Sequence, residues 1–318
     1  MESEQNKERE LIAEVADLYY NKQMGQQKIA DLMFFSRSKV SRMLSEAKRL
    51  GIVEITINYP LERDRLLEHK LNKLLNINKI IIVKNNNNDE KKMLKKVCNI
   101  GSKFVDEIIK DQDIVGISWG TTVYNLIQEI KPHLKKQIKV VQLTGVINDI
   151  KTRNYDGSEL VRYLAEKYHS EFYSLPLPLY IDDSGITKKL LQNSIGKTAL
   201  ELSKKANVIV TGISDFDVAT NSIWMNSFDY KQRKDLASKG AVGIFLSHFI
   251  DENGLIVDAE VDSRIIAMKL EDIKNCKEVI TIANGEKKAL AIKAALKQNY
   301  INTLIIDDIL ANELLRIY

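Results

Sequence analysis

The stretch DIVGISWGTTVYNLIQEI, residues 113–130, decides the fold of the larger part of this chain. It begins as an apolar run that stops near Gly120, as a buried strand does at the edge of a sheet. Two threonines follow, and apolar residues then recur at the three- and four-residue spacing of a helix. A strand that breaks at glycine and restarts as a helix with hydroxyls in its first turn can bind phosphate. The stretch therefore predicts a phosphate-binding turn, in an enzyme or in a ligand-binding domain without catalytic activity.

Similar apolar runs alternate with helical patterns from residue 79 to the end of the sequence. The predicted strands are Ile80–Val83, Ile114–Ile117, Val140–Leu143, Val208–Thr211, Gly243–Leu246, Val279–Ile282 and Leu304–Ile306. The predicted helices are 91–109, 121–131, 157–169, 187–205, 230–239, 286–298 and 308–316. Continuous apolar strands separated by helices predict an α/β domain with a mostly parallel, Rossmann-like sheet covered on both faces.

Ligands of such sheets bind beyond the carboxyl ends of the strands, so the residues after each strand are the candidates for a site. Several strands are followed by hydroxyl residues, glycines, lysines or, in one case, a tryptophan. These residues are Ser118, Trp119, Gly120, Thr121, Thr122, Thr144, Gly212, Lys287 and Lys288. Hydroxyl and amide donors suit a phosphate, and nearby carboxylates and amides suit sugar hydroxyls. The alternatives are helix capping for the threonines, a solvated helix start for the lysines and simple packing for the tryptophan. Neither a G-x-x-x-x-G-K loop nor a G-x-G-x-x-G motif is present.

The composition is that of an ordinary globular protein of two or three domains, with 318 residues, 44% hydrophobic and 28% charged. No apolar run approaches the roughly 18 residues of a membrane span. The first residues, MESEQNKERE, carry no apolar signal segment, so we expect a cytoplasmic protein without membrane contact. Cys98 and Cys276 predict buried small side chains, and four scattered histidines give no support for a metal site. We expect neither a metal nor a cofactor.

The first 58 residues carry the pattern of a winged helix-turn-helix. Apolar residues at helical spacing in 8–20 predict a first helix, and residues 21–25 a short turn. A second helix is predicted over QQKIADLMF, and Ser36 is a good N-cap for a third, which Gly51 ends. The following IVEITI predicts a short strand or wing. The third helix of such a motif enters the major groove of DNA by its first turns.

The charge of the whole chain, +4, decides little, but residues 36–50 hold five basic residues against one acidic residue. Arginine and lysine reach guanine edges or phosphates, and serine and glutamine reach either. The predicted DNA-contacting residues are Gln26, Gln27, Ser36, Arg37, Ser38, Lys39, Ser41 and Arg42. The alternative is a small helical subdomain whose basic residues are merely solvated; the ordered cap, short turn, basic face and wing favour DNA.

Residues 59–78 join the two parts and place leucines at helical spacing among charges. This pattern predicts an amphipathic helix, packed either on its own domain or against a second subunit. Because proteins that bind DNA half-sites work as dimers, we expect an oligomeric role for this segment. The domain boundaries predicted from the sequence are therefore 1–58, 59–78 and 79–318.

Six segments in this order resemble the SorC family of bacterial transcription regulators, and most closely its deoxyribonucleoside-type members. The segments are GQQKIADLMFFSRSKVSRMLSEAKRLGIVEI, DIVGISWGTTVY, VVQLTG, LPLPLYID, GAVGIF…FIDENG and IANGEKKALAIKAAL, and together they span nearly the whole chain. The resemblance implies an effector domain similar to sugar-phosphate isomerases, a phosphorylated sugar as effector, operator DNA as partner, and a homo-oligomer, dimer or tetramer.

By the same resemblance, Gly120–Thr122 form the phosphate-binding turn and Gln142 lies in the strand beside the pocket. Arg264, an isolated cation among apolar residues, matches a family arginine, and Lys288 matches a family lysine. The complete set of predicted effector-binding residues is Ser118, Trp119, Gly120, Thr121, Thr122, Gln142, Thr144, Gly212, Asp258, Arg264 and Lys288.

Two positions depart from the family pattern. Val146 replaces the second glycine of the usual V-V-Q-L-x-G-G segment, and Thr144 stands where some members carry a lysine. A threonine cannot form an imine with a sugar aldehyde, so covalent capture at this position is excluded.

The leading hypothesis is a ligand-switched DNA-binding regulator with no catalytic residues. The rival is a sugar-phosphate isomerase-like enzyme with an appended DNA-binding module, which would need a general base near the pocket. Asp215, Asp217 and Asp258 are available carboxylates, but no spacing among them compels acid–base chemistry.

Overall fold

The structure, a computed structural model, describes residues 2–53, 63–85, 89–147, 153–192, 194–219, 222 and 224–318. The chain divides into two compact units, Met1–Pro60 and Leu61–Tyr318, so the first boundary lies two residues after the predicted one. Among the described residues, no helix is long and apolar enough to cross a lipid bilayer.

The described part of the first unit, residues 2–53, contains three helices, α1 (Glu2–Tyr20), α2 (Gln26–Leu32) and α3 (Arg37–Arg49). They pack around a small apolar core formed by Ile12, Val15, Ala16, Ile29, Ala30, Val40, Met43, Leu44 and Ala47. The Oγ of Ser36 accepts a hydrogen bond from the amide of Lys39, which confirms the predicted N-cap of α3. The predicted wing falls mainly on residues 54–57, which lie outside the described residues.

The second unit is built on a parallel sheet. Its strands are β1 (Lys79–Val83), β2 (Ile114–Ile117), β3 (Lys139–Gln142), β4 (Glu171–Tyr173), β5 (Val208–Asp215), β6 (Gly243–Phe245), β7 (His248–Ile250), β8 (Glu278–Ile282) and β9 (Thr303–Asp307). The order β1-β9-β8-β5-β2-β3-β4 is parallel throughout, which confirms the predicted α/β class.

The helices that follow residue 63 cover the sheet and its carboxyl edge. They are α4 (Arg65–Leu75), α5 (Glu90–Ile108), α6 (Thr121–Glu129), α7 (Gly157–Tyr168), α8 (Ser184–Gln192), α9 (Ser194–Ser203), α10 (Phe216–Ala219), α11 (Tyr230–Ser238), α12 (Ala259–Asp262), α13 (Leu270–Ile273), α14 (Ala289–Lys297) and α15 (Asp308–Ile317). Three short 3-10 helices are Arg153–Tyr155, Trp224–Ser227 and Glu286–Lys288.

Side chains of each strand alternate between two apolar cores, one on each face of the sheet. Ile80 and Ile82 belong to the core with α4, α9, α14 and α15, whereas Ile81 and Val83 belong to the core with α5, α6 and α7. This alternation explains why the strands are apolar along their whole length.

The predicted and observed elements differ in several places. The strand predicted at Gly243–Leu246 is β6, but it is antiparallel to both of its neighbours, β5 and β7, and forms a hairpin with β7. The helix predicted over 187–205 is two helices, α8 and α9. The edge strand β4 was not predicted, because it has only three residues and two of them are exposed.

The joining segment packs on its own unit through α4, whose Leu71 and Leu75 are buried in the core beside β1. Glu68 fixes this position: its carboxylate accepts two hydrogen bonds from Arg63 and one of 3.0 Å from the amide of Ile82 in β1. Since β1 is an edge strand, Glu68 supplies a partner that a neighbouring strand would otherwise provide. The described helix is shorter than the predicted segment 59–78, and an oligomeric role for it remains a prediction.

We expect Glu68→Ala to lower the free energy of unfolding by about 2–4 kcal/mol, because it leaves a buried amide and the Arg63 guanidinium without their acceptor. Urea denaturation followed by circular dichroism measures the change. Glu201→Ala is the matched control: it also removes a helical glutamate from an ion pair, with Lys204, but both side chains are half exposed. Equal effects of the two substitutions would contradict the role assigned to Glu68.

Candidate functional site

The carboxyl ends of β2, β5, β8 and β9 meet at one edge of the sheet because these neighbouring strands are parallel. After β2 the chain turns at Gly120, whose φ of 124° lies in a region that favours glycine. Gly120 is also the N-cap of α6 and offers no side chain to cap it, and a Cβ at this position would meet open space. The first turn of α6 therefore presents backbone amides, the helix dipole and the hydroxyls of Thr121 and Thr122 without a capping side chain, as anion sites do.

Residues near the end of the parallel part of β5 lie directly against this turn. The hydroxyl of Thr211 donates a hydrogen bond of 2.9 Å to the Oγ of Ser118. A Cβ at Gly212 would lie 3.8 Å from the Cβ of Thr122, an ordinary van der Waals distance, so this part of β5 lies beside the first turn of α6. The structure thus brings together Ser118, Thr122 and Gly212 as predicted. Thr211, which the sequence analysis missed, connects the two strand ends.

The turn after β8 adds a cation to the same edge. Lys288 donates a hydrogen bond of 2.7 Å from Nζ to the carbonyl of Asn284, at the point where β8 ends. Burial lowers the pKa of Lys288, while the carboxylates of Asp307, Glu90 and Asp215 oppose this shift. Asp307 accepts hydrogen bonds from the amides of Gly285 and Leu310, and burial raises its pKa. The lysine charge is therefore held among carboxylates at the ends of β5 and β9.

Gln142 does not face an open site. The side chain is fully buried: Nε2 donates to the carbonyl of Thr144 at 2.6 Å, and Oε1 accepts from the amide of Leu175 at 2.9 Å. A Cβ on Gly157 would approach Gln142 Nε2 to 3.0 Å, so α7 closes over it. Both ends of the side-chain amide are therefore bonded to backbone, and a contact of Gln142 with an effector stays a prediction. Thr144 is also fully buried, and its Oγ1 has no partner within the described residues.

Asp258 and Arg264 belong to a segment that has its own contacts. The Asp258 carboxylate accepts from the amides of Glu260 and Val261 and from Lys239, and Lys239 above all lowers its pKa. Arg264 forms an ion pair with Glu260, which provides the partner that an isolated cation needs, while its Nε is buried and has no hydrogen-bond partner in the described chain. These contacts do not join either residue to the turn at Gly120.

Trp119 links the turn to an aromatic cluster. Its indole packs against a core that contains Phe216, Trp224, Phe228 and Phe249. Its Nε1 donates a hydrogen bond of 2.9 Å to the Oγ of Ser247. Ser247 was not a predicted site residue, although it directly follows the predicted strand Gly243–Leu246.

In the first unit, the predicted DNA-contacting side chains lie at the start of α3. The exposed ones are Arg37, Ser38, Lys39, Ser41 and Arg42, together with the cap Ser36. Lys39 Nζ lies 3.8 Å from the centre of the Phe35 ring, which orients it. Gln27 is bonded to Asp31 and Gln26 is half-buried at the start of α2. An exposed basic face on the second helix of a helix-turn-helix has the geometry for a major groove.

Comparison with known proteins places the chain among regulators. A family profile described as "Putative sugar-binding domain" matches residues 59–316. The deoxyribonucleoside regulator of Bacillus subtilis (strain 168) is 30% identical over 298 residues, which cover 94% of this chain and 95% of that protein. The sorbitol operon regulator of Klebsiella pneumoniae is 26% identical over 296 residues, 93% and 94% of the two chains. The crystal structure of the full-length regulator SorC from Klebsiella pneumoniae superposes with a TM-score of 0.76 at 26% identity. The superposition covers 96% of this chain and 98% of that chain.

We expect Gln142→Ala to lower the free energy of unfolding by about 2–4 kcal/mol, since it creates a cavity and leaves two buried backbone groups unpaired. Thermal and urea denaturation measure the loss, and Gln128→Ala, at an exposed position of α6, is the control. If Gln142 instead contacted the ligand, the substitution would weaken ligand binding with little change in stability.

Proposed function

Because the chain belongs to the sugar-binding domain family of SorC-type transcription regulators, we propose that it binds operator DNA and that a phosphorylated sugar changes this binding. The first unit is proposed to bind the DNA and the second to bind the effector. The operon is one of carbohydrate or nucleoside catabolism, by analogy with the regulators that the chain resembles.

The observation that carries the effector proposal is the glycine-capped start of α6. A side-chain cap would occupy the first amides of the helix, whereas Gly120 leaves them for a ligand. Thr121, Thr122 and Ser118 add hydroxyls at the same edge, and Lys288 adds a positive charge there. Hydrogen bonds from amides and hydroxyls together with one cation match the charge and the acceptor oxygens of a phosphate monoester.

The rival enzyme hypothesis finds less support. The relatives, matched over more than nine-tenths of their length, are regulators of transcription rather than enzymes. Asp258, one of the carboxylates that could have acted as a base, is bonded to two amides and to Lys239, which lowers its pKa. A carboxylate held in its ionised form by such bonds is a weak general base at neutral pH.

The proposed mechanism is linkage between ligand and DNA binding. An effector that binds one arrangement of the oligomer more tightly shifts the population towards it, and DNA affinity follows. A homo-oligomer, dimer or tetramer, is part of the proposal, because two copies of α3 are needed to contact two half-sites. Operator DNA and sugar phosphates both occur in the cytoplasm, which is the proposed location.

We expect Arg42→Ala to weaken DNA binding roughly 5- to 100-fold, by the loss of a phosphate or base contact. The DNA probe is the genomic fragment that the unsubstituted protein binds most tightly. Fluorescence anisotropy with this fragment measures the affinity at several salt concentrations. Arg49→Ala is the control, since Arg49 lies in the last turn of α3 and pairs with Glu46. Equal DNA affinity of the Arg42→Ala variant and the parent chain would exclude the proposed face.

We expect Thr122→Ala to weaken effector binding roughly 10- to 100-fold, because a hydroxyl bond to a charged phosphate is lost. Thermal-shift titration with a panel of sugar phosphates measures it, and Thr198→Ala, at an exposed position of α9, is the control. DNA affinity without effector should be unchanged. A variant that lost DNA binding and kept its response to ligand would contradict the proposed roles of the two units, and turnover of a sugar phosphate would favour the enzyme.

A further inference from the structure

The hairpin between β6 and β7 turns on two residues that are unusual for their place. Leu246 and Ser247 both have positive φ, 46° and 71°, and pairing of Phe245 with His248 makes them a two-residue loop. Such a turn is most often Asn-Gly or a similar pair, because other side chains are strained in this conformation. Strain of this kind persists only where the surrounding structure holds it, and it is concentrated at functional sites.

Both side chains of the turn are buried, each only 3% exposed, and each has a definite contact. Leu246 belongs to the apolar core on one face of the sheet. Ser247 accepts the hydrogen bond from the indole Nε1 of Trp119 at 2.9 Å, across 128 positions of sequence. The strained turn thus places a hydroxyl against the residue that immediately precedes Gly120.

The residue after the turn anchors it. The ring of His248 is bonded through Nδ1 to the Asp262 carboxylate at 2.5 Å and through Nε2 to the carbonyl of Met268 at 2.9 Å. His248 is itself only 3% exposed. Ser247 is therefore held on one side by the core residue Leu246 and on the other by a histidine with both ring nitrogens bonded.

We infer that Ser247 is a positioning residue for the effector: by bonding Trp119 Nε1, it fixes the indole beside the turn and sets the affinity for the sugar part of the ligand. This inference rests on the proposed function. An indole offers a flat apolar surface for the carbon face of a sugar, whereas the phosphate is bound by the amides of α6. A surface fixed before binding loses less entropy when the ligand arrives.

The test compares Ser247→Ala and Ser247→Gly with the parent chain. The probes are inorganic phosphate and four sugar phosphates: 2-deoxyribose 5-phosphate, ribose 5-phosphate, glucose 6-phosphate and fructose 6-phosphate. Calorimetry measures affinity, and intrinsic fluorescence with acrylamide quenching reports mainly Trp119, since Trp224, the other tryptophan of the chain, is only 1% exposed. Ser203→Ala is the matched control, because this serine is fully buried and bonded to the carbonyl of Leu200 before the amino end of β5.

We expect both Ser247 variants to bind the preferred sugar phosphate about 3- to 10-fold more weakly, the effect of one lost hydrogen bond. Inorganic phosphate should bind to the variants as tightly as to the unsubstituted protein. Without ligand, acrylamide should quench Trp119 more strongly in the variants. Ser247→Gly should be at least as stable as Ser247→Ala, because glycine relieves the positive φ. The two variants would then differ in stability but lose the same affinity for the sugar phosphate. A purely structural role of Ser247 would make affinity follow stability.

Two results would overturn the inference while leaving the proposed function intact. One is unchanged affinity for the sugar phosphate in folded Ser247→Ala; the other is an equal loss of affinity for inorganic phosphate and the sugar phosphate. If none of the four sugar phosphates binds the parent chain, the proposed function fails for these ligands and the inference fails with it. Ser203→Ala should behave as the parent in the affinity and quenching measurements.

Discussion

The parallel register between β2 and β5 is the constraint on which the rest of the site depends. Pairing of Ile117 with Val210 aligns the two carboxyl ends, so that Ser118 comes next to Thr211 and the turn at Gly120 lies against Gly212. Parallel strands cannot be joined by a tight turn, so helices must lie between them, and each helix starts near the edge where the ligand binds. The same constraint that makes the strands apolar on both faces therefore produces a set of helix starts at one edge.

Elements buried on both faces of the sheet could be predicted from the sequence, because their apolar runs have no other explanation. Strand β4 could not, since it is short and mostly exposed and carries no such run. The hairpin 243–250 was represented by one strand because Leu246 and Ser247 give no turn signal of the Asn-Gly kind. In both cases tertiary contacts, rather than local preference, determine the backbone.

The predicted site residues divide in the same way, into those that a local pattern indicates and those that depend on tertiary contacts. The turn at Gly120 and the helix start at the threonines could be predicted, because a glycine between strand and helix has few other uses. The contacts of Gln142 and Asp258 could not be predicted, because a sequence does not show whether a polar side chain will bond to backbone or to a ligand. In the fold their acceptors and donors are taken by Thr144, Leu175 and the start of α12. Asp307 was not predicted, although it directly follows an apolar run, the position at which the other strands have predicted site residues.

Linkage limits which contacts can transmit a signal. A ligand that binds two arrangements equally tightly shifts nothing, and a hundredfold change in operator affinity needs about 2.7 kcal/mol of difference in effector binding. The amides at the start of α6 are fixed by the helix and offer a phosphate nearly the same bonds in any arrangement. The difference must therefore come from groups whose position depends on a second element. Trp119 meets this condition, because its indole is held by Ser247 on a strained hairpin rather than by its own strand or helix. In the proposed mechanism, the phosphate supplies affinity, and the sugar, through Trp119, supplies the difference between arrangements that changes DNA binding.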